Sequence, residues 1–250
     1  MFSHNDYYKE IELNFDKDAL IERKWKMENV AYVPLDIPQI NVPEEMLWKE
    51  FYELQHNNYH WDYWKSLVVK GYVEDWSDSY SNEVGFRARF DSSKTPLWNP
   101  NLSPTLLEYF QKVLSALPFS DCKFAEVHGQ QAMVPPHQDI ESALNCYDVD
   151  TDENAEPEPA GLKVMLTHKN RKSFFVLDNK PKSIRKYISF PEETNSFAIN
   201  ERKFLHGAKY LGEAKLILTT FGFIDKKKHK ELIERSVKKF NDYVIRFEDV

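Results

Sequence analysis

The stretch Val134-Pro135-Pro136-His137-Gln138-Asp139 sets a histidine and a carboxylate two positions apart, directly behind two prolines. Proline fixes φ and disfavours helix in the residue before it, so this segment is expected to be extended. Residues i and i+2 share one face of an extended segment but stand roughly 200° apart around a helix. His137 and Asp139 can therefore converge on one metal ion. Two other His-x-Asp pairs occur, so the spacing alone decides nothing. His4–Asp6 lies at a polar terminus, a poor place for a preorganised site. His60–Asp62 falls in Tyr59-His60-Trp61-Asp62-Tyr63-Trp64, inside a stretch expected to be helical, where the two side chains diverge and pack.

Outward from this stretch, short strand-like runs separated by turns follow Pro118, at 124–127, 162–167, 173–177, 196–199 and 216–223. Before it the texture is helical. Pro43-Glu44-Glu45 suits a helix start, and one or two helices are expected within 42–70. Ser103-Pro104 resembles a cap and first helical position, after which Leu106, Leu107, Tyr109, Phe110, Val113, Leu114 and Leu117 recur at helical spacing. Past Asp225, Leu232, Ile233, Val237, Phe240, Val244 and Phe247 keep a helical apolar face, to cover the core or to form a homodimer. The expectation is a single domain, mainly β with flanking helices. It comprises a helix-rich part over 1–118, a β core over 119–225 and a C-terminal helix over 226–250. The acidic, proline-containing segment 148–159 reads as a solvated surface loop.

At 250 residues with a net charge of -7, the chain is expected to be globular and offers no electrostatic footprint for nucleic acid. Its first residues show no basic region followed by an apolar run, and no stretch of about 18 apolar residues occurs. A cytoplasmic protein without membrane contact is expected. Cys122 and Cys146 read as free thiols, because a chain of this length builds its own core.

A facial metal triad needs a second histidine from elsewhere. Of His56, His128, His168, His206 and His229, the best placed is His206, in Phe204-Leu205-His206-Gly207 after the strand-like 196–199. His56 and His229 sit in helix-like surroundings, and His168 falls in a turn. Lys215 opens the aliphatic run Leu216-Ile217-Leu218-Thr219-Thr220-Phe221 and shares a strand face with Ile217, Thr219 and Phe221. A lysine buried there needs an anionic partner, such as a dicarboxylate ligand. On an exposed face it would simply be solvated.

The order His137-Gln138-Asp139, then His206, then Lys215 nine residues later, resembles the Fe(II)/2-oxoglutarate-dependent dioxygenase superfamily, in the flavour of its prolyl and aspartyl/asparaginyl hydroxylases. Ala125-Glu126-Val127-His128-Gly129 followed by Val134-Pro135-Pro136-His137 is similar to their strand, glycine turn and metal-binding strand. The match spans about 121–225. The resemblance implies a double-stranded β-helix (jelly-roll, cupin-like) core, with His137, Asp139 and His206 on Fe(II) and the distal carboxylate of 2-oxoglutarate on Lys215. It also implies O2 as second cosubstrate, release of succinate and CO2, and hydroxylation rather than halogenation, since Asp139 is a carboxylate. Relatives often hold the cosubstrate with a further tyrosine or arginine. Val127 stands at the matching position, so Thr219, then Lys163, are the substitutes.

For a substrate, Arg87 and Arg89 alternate with apolar residues over 85–90 and could clamp a carboxylate. Arginines on the wet side of a sheet look the same. Glu126, His128 and Gln130 share a face and could line the pocket or meet solvent. Three function classes follow: a hydroxylase of an amino acid, peptidyl residue or small carboxylated metabolite; a cupin-like metalloenzyme with no use for 2-oxoglutarate; and a non-catalytic β-sandwich that binds protein.

Overall fold

The computed structural model describes residues 29–58, 61–71, 95–130, 133–139, 146–147, 159–167, 172–180, 182–209 and 214–247. The pairs His4–Asp6 and Arg87/Arg89 lie outside these residues, as do His60, His168 and nearly all of 148–159.

Two sheets face each other. The larger is built from β1 (Val30–Pro34), β2 (His56–Asn58), β3 (Trp61–Gly71), β4 (Leu97–Trp98), β5 (Phe119–Gln130), β7 (Cys146–Tyr147), β8 (Gly161–Met165), β11 (Ser196–Ile199), β13 (Lys215–Ile224) and β14 (Ile245–Arg246). Its strand order is β14-β1-β11-β8-β13-β5-β3-β2, with β4 on β3 and β7 on β13. The smaller sheet has the order β10-β9-β12-β6, from β6 (Val134–His137), β9 (Phe174–Leu177), β10 (Lys186–Tyr187) and β12 (Leu205–Ala208). Apart from the short parallel contact of β7 with β13, the pairings are antiparallel.

Alternation along the strands explains the layers. On β13, Leu216 and Leu218 enter a core with Ala125 and Val127 of β5 and Leu162 and Val164 of β8. Three helices cover that face: α1 (Glu44–Leu54), α2 (Pro104–Ala116) and α3 (Lys226–Lys239). They contribute Leu47 and Phe51, then Leu106, Phe110 and Val113, then Leu232 and Ile233. Each such side chain, fully buried, is worth about 1.5–3 kcal/mol. On the opposite face, Ile217, Met165, Phe197 and Tyr32 pack with Val176 of the smaller sheet. The same inner face carries a row of polar side chains, described below.

Capping fixes the helix starts. The Ser103 hydroxyl accepts from the Leu106 amide at 3.3 Å with Pro104 at the first helical position, and Asp225 accepts from Lys228 at 3.0 Å.

Three sequence-based expectations change. The stretch around Trp61 is strand, not helix: β3 pairs with β5 through Leu67↔Val127 and Ser66↔His128. Leu67, Val68 and Val69 are all buried, so the strand shows no polar alternation, and its β-branched and aromatic content fits a pleated surface. His56 likewise opens a strand, so helical divergence does not dispose of these histidines. Among the described residues, the segment 1–118 contributes four strands to the larger sheet beside two helices. Finally, the last helix stops at Lys239, and Val244 and Phe247 flank β14, which pairs with β1. No helix among the described residues is long and apolar enough to cross a membrane.

Candidate metal centre

His137 ends β6 and His206 lies on β12, and the two residues face each other across the pairing. Their ring centroids are 4.3 Å apart. A Cβ at position 207 would stand 2.6 Å from the Val134 carbonyl oxygen, so Gly207 lets β12 approach β6 this closely. Asp139 follows His137 and turns back between the rings: His137 Nε2 is 3.7 Å from Oδ1 and His206 Nε2 is 3.9 Å from Oδ2. Among the described residues these three side chains form the one His/Cys/Asp/Glu group with donor atoms all within 4.8 Å of one another.

The donor set fits a divalent metal. His137 Nδ1 lies 2.9 Å from the Pro135 carbonyl oxygen, which orients the ring and leaves Nε2 to face the cluster. Burial, and then the neighbouring His137, hold the His206 pKa well below its usual range. His206 Nδ1 is buried with no hydrogen-bond partner among the described residues. Neutral imidazole is the ligating form. Burial opposes ionisation of Asp139, yet its basic neighbours, His206 first and then Lys163 and His137, favour the carboxylate and hold its carboxyl well below the usual carboxylate range. Bonds of about 2 Å place two ligand atoms at most about 4 Å apart, a limit within which both His–Asp separations fall.

Glu201, which the sequence did not single out, is the fourth group of the cluster. It sits in the turn between β11 and β12, is 3% exposed, and forms a buried ion pair with Lys163 of β8. Its Oε1 lies 3.9 Å from His206 Nε2. Burial and the negative charge of Asp139 push its carboxyl up to about 8, against the pull of Lys163. Nothing local in Glu201-Arg202-Lys203 signals this role, because the partner is 38 residues away.

The remaining expected residues that the structure describes line the inner face of the larger sheet. On β13, Lys215 is opposite Gln130, Ile217 opposite His128, and Thr219 opposite both Glu126 and Lys163. Lys215 is 4% exposed, which excludes a solvated edge role. Its ammonium donates to the Ser173 hydroxyl and stands 4.5 Å from the Phe174 ring centroid. Thr219 lies about 13 Å further along the strand, in the row of Lys163. Glu126, His128 and Gln130 are buried: His128 Nδ1 is 3.2 Å from the Ser66 hydroxyl, and Nε2 is 3.3 Å from Glu126 Oε2. His229 is also buried, in α3 against the Pro159 carbonyl at 2.9 Å, remote in role from the triad. Cys122 is a free, buried thiol, pushed up to about 12 mainly by burial.

Fold and site together define a two-sheet β protein with a two-histidine, one-carboxylate candidate metal site between the sheets. No family model and no curated protein matches the chain. Among solved structures, it is similar to a full-length Neurospora crassa protein in complex with alpha-KG and thymine, at 9% identity and a TM-score of 0.31, over 96% of this chain and 86% of that one. The same Neurospora protein in complex with alpha-KG matches at 8% identity and a TM-score of 0.30, over 90% and 73%. Likeness that weak carries no functional weight; the side chains of the site do.

Proposed function

We propose that this chain is an Fe(II)- and 2-oxoglutarate-dependent oxygenase of the hydroxylase kind, acting on an amino acid, a peptidyl residue or a small carboxylated metabolite. The observation that carries the reading is the convergence of His137, Asp139 and His206, whose candidate ligand atoms all lie within 4.8 Å of one another. Two histidines and one carboxylate leave three positions open on a six-coordinate metal, the arrangement used by non-haem iron oxygenases. The strand arrangement supports the reading too. The pairings β5-β13-β8-β11 in one sheet and β6-β12-β9-β10 in the other are compatible with a double-stranded β-helix.

His137, Asp139 and His206 would hold the iron. Lys215, with the Ser173 hydroxyl beside it, would bind the distal carboxylate of 2-oxoglutarate. Ser173 directly precedes Phe174, and His206 lies opposite Val176, so the anchor stands about 10 Å along the sheet from the metal row. Iron and cosubstrate supply the oxidising chemistry: dioxygen is reduced as 2-oxoglutarate is decarboxylated to succinate and CO2, and one oxygen atom is inserted into a C–H bond. The protein's part is to orient, to exclude water and to keep other hydrogen donors away. The apolar inner face of Ile217, Met165 and Phe197 serves exclusion. Glu126, His128 and Gln130 would face the substrate.

Anaerobic addition of Fe(II) and then 2-oxoglutarate tests this. A weak visible charge-transfer band is expected in the wild type and not in His137→Ala, and succinate should form once air and substrate are present. No band in the wild type, or an equal one in the variant, sinks the assignment.

A further inference from the structure

We propose that the loop of the β9–β10 hairpin is a docking surface for an acidic segment of a partner protein, which Lys182, Ile184, Arg185 and Lys209 would hold. This does not depend on the metal reading above.

Placement comes first. β10 is the outermost strand of the smaller sheet on its side, so the hairpin forms a rim of the molecule. Leu177, the last residue of β9, pairs with Leu205, next to His206. The loop therefore leaves the sheet at its metal end. Between Lys172 and Tyr187 the chain carries five Lys or Arg and a single carboxylate, Asp178, although acids outnumber bases 40 to 33 over its whole length. Asp178 is taken up by Lys180, 3.2 Å away, and Lys186 turns aside to donate to the Arg246 carbonyl at 2.8 Å. Lys182 and Arg185 are exposed. The Arg185 guanidinium carbon lies 4.6 Å from the Phe175 ring centroid, and the Lys209 ammonium lies 4.6 Å from that of Tyr187. Those two rings meet edge to face at 5.9 Å, so both cations belong to one surface.

The chemistry of the loop selects the occupant. An arginine stacked on an aromatic ring is held in place while its N–H edges stay available to a carboxylate. Lys182 has φ 63°, inside a turn closed by the Ser183 amide on the Lys180 carbonyl at 3.2 Å. Glycine suits that left-handed backbone better, so the lysine is explained by its side chain rather than by the turn. Ile184 is 80% exposed, more than any other large hydrophobic among the described residues, and it stands between Lys182 and Arg185. Lysine on an edge strand often serves only to prevent strand addition, a role that Lys186 fills and that an exposed isoleucine would undermine. Cations around an apolar side chain fit carboxylates around an aliphatic or aromatic one. Nucleic acid fits less well: a long phosphate backbone meets the net charge of -7, whereas a short segment senses mainly charges within about 8 Å.

Fluorescence anisotropy with the full-length protein tests this, using a short labelled glutamate-rich peptide with a central leucine. Saturable binding that weakens with added salt is expected, with little binding of the same peptide carrying glutamine for glutamate. The Lys182→Gly/Ile184→Ser double variant should melt no lower than wild type and bind the peptide at least about tenfold more weakly. Arg185→Gln, a second and separate variant, should weaken it in the same direction. No saturable binding to wild type up to about 1 mM peptide overturns the proposal, as does wild-type affinity in either variant or equal affinity for the glutamine peptide. An oligothymidylate of equal charge that binds as tightly as the peptide overturns it in favour of nucleic acid.

Discussion

Lys163 and Lys215 both point into the space between the sheets, but they keep different company. Lys163 is bound to a carboxylate, whereas Lys215 meets a hydroxyl and an aromatic ring. Replacing Lys215 with methionine keeps the volume and removes the charge. We expect Lys215→Met to lower 2-oxoglutarate affinity at least tenfold, about 1.4 kcal/mol, while Mn(II) affinity stays at its wild-type value. Equal 2-oxoglutarate affinity in titrations of the two proteins would move the anchor elsewhere. How far single residues can be read from sequence follows from how local their constraints are. Pro135 and Pro136 act on their immediate neighbours, so the extended course of His137 and Asp139 is visible in the chain itself. Glu201 depends on Lys163 and on the space above Gly161, neither of which is near it in the chain. Helical divergence is the wrong ground for setting His60–Asp62 aside, since Asp62 lies on a strand.

At the scale of elements, polar alternation and capping chemistry decide what can be read. The run 196–199 reads as a strand and is one, residue for residue. By contrast, β3 is hidden because both of its faces are covered, so Leu67, Val68 and Val69 are apolar in succession and do not mark the period. The end of α3 is overrun for a related reason: Val244 and Phe247 are apolar because β14 joins the sheet, not because the helix continues. For α2, the Ser103 hydroxyl satisfies an otherwise unpaired first-turn amide. Ser103→Ala should cost about 1 kcal/mol, measured as a lower midpoint in urea with an unchanged slope. A midpoint equal to wild type would mean that Pro104 alone sets the helix start.

For the molecule as a whole, a metal that binds the folded chain alone must stabilise it by mass action. At a free Mn(II) concentration about 100 times Kd, the gain is about 2.7 kcal/mol, and His137→Ala should show none of it. Thermal melting with and without the ion measures both, and equal shifts in the two proteins would mean that the ion binds elsewhere. The sheet order also constrains how the chain is made. β1, the earliest strand described, lies between β11 and β14, so Val33 pairs with Ala198, and Val30 with Arg246. On the ribosome, β1 emerges long before either neighbour exists and must wait with its backbone donors and acceptors open to other chains. The larger sheet cannot close at that edge until Ile245 and Arg246 leave the exit tunnel, so protection of nascent chains, more than the final stability of the product, should govern how much folded protein a cell obtains.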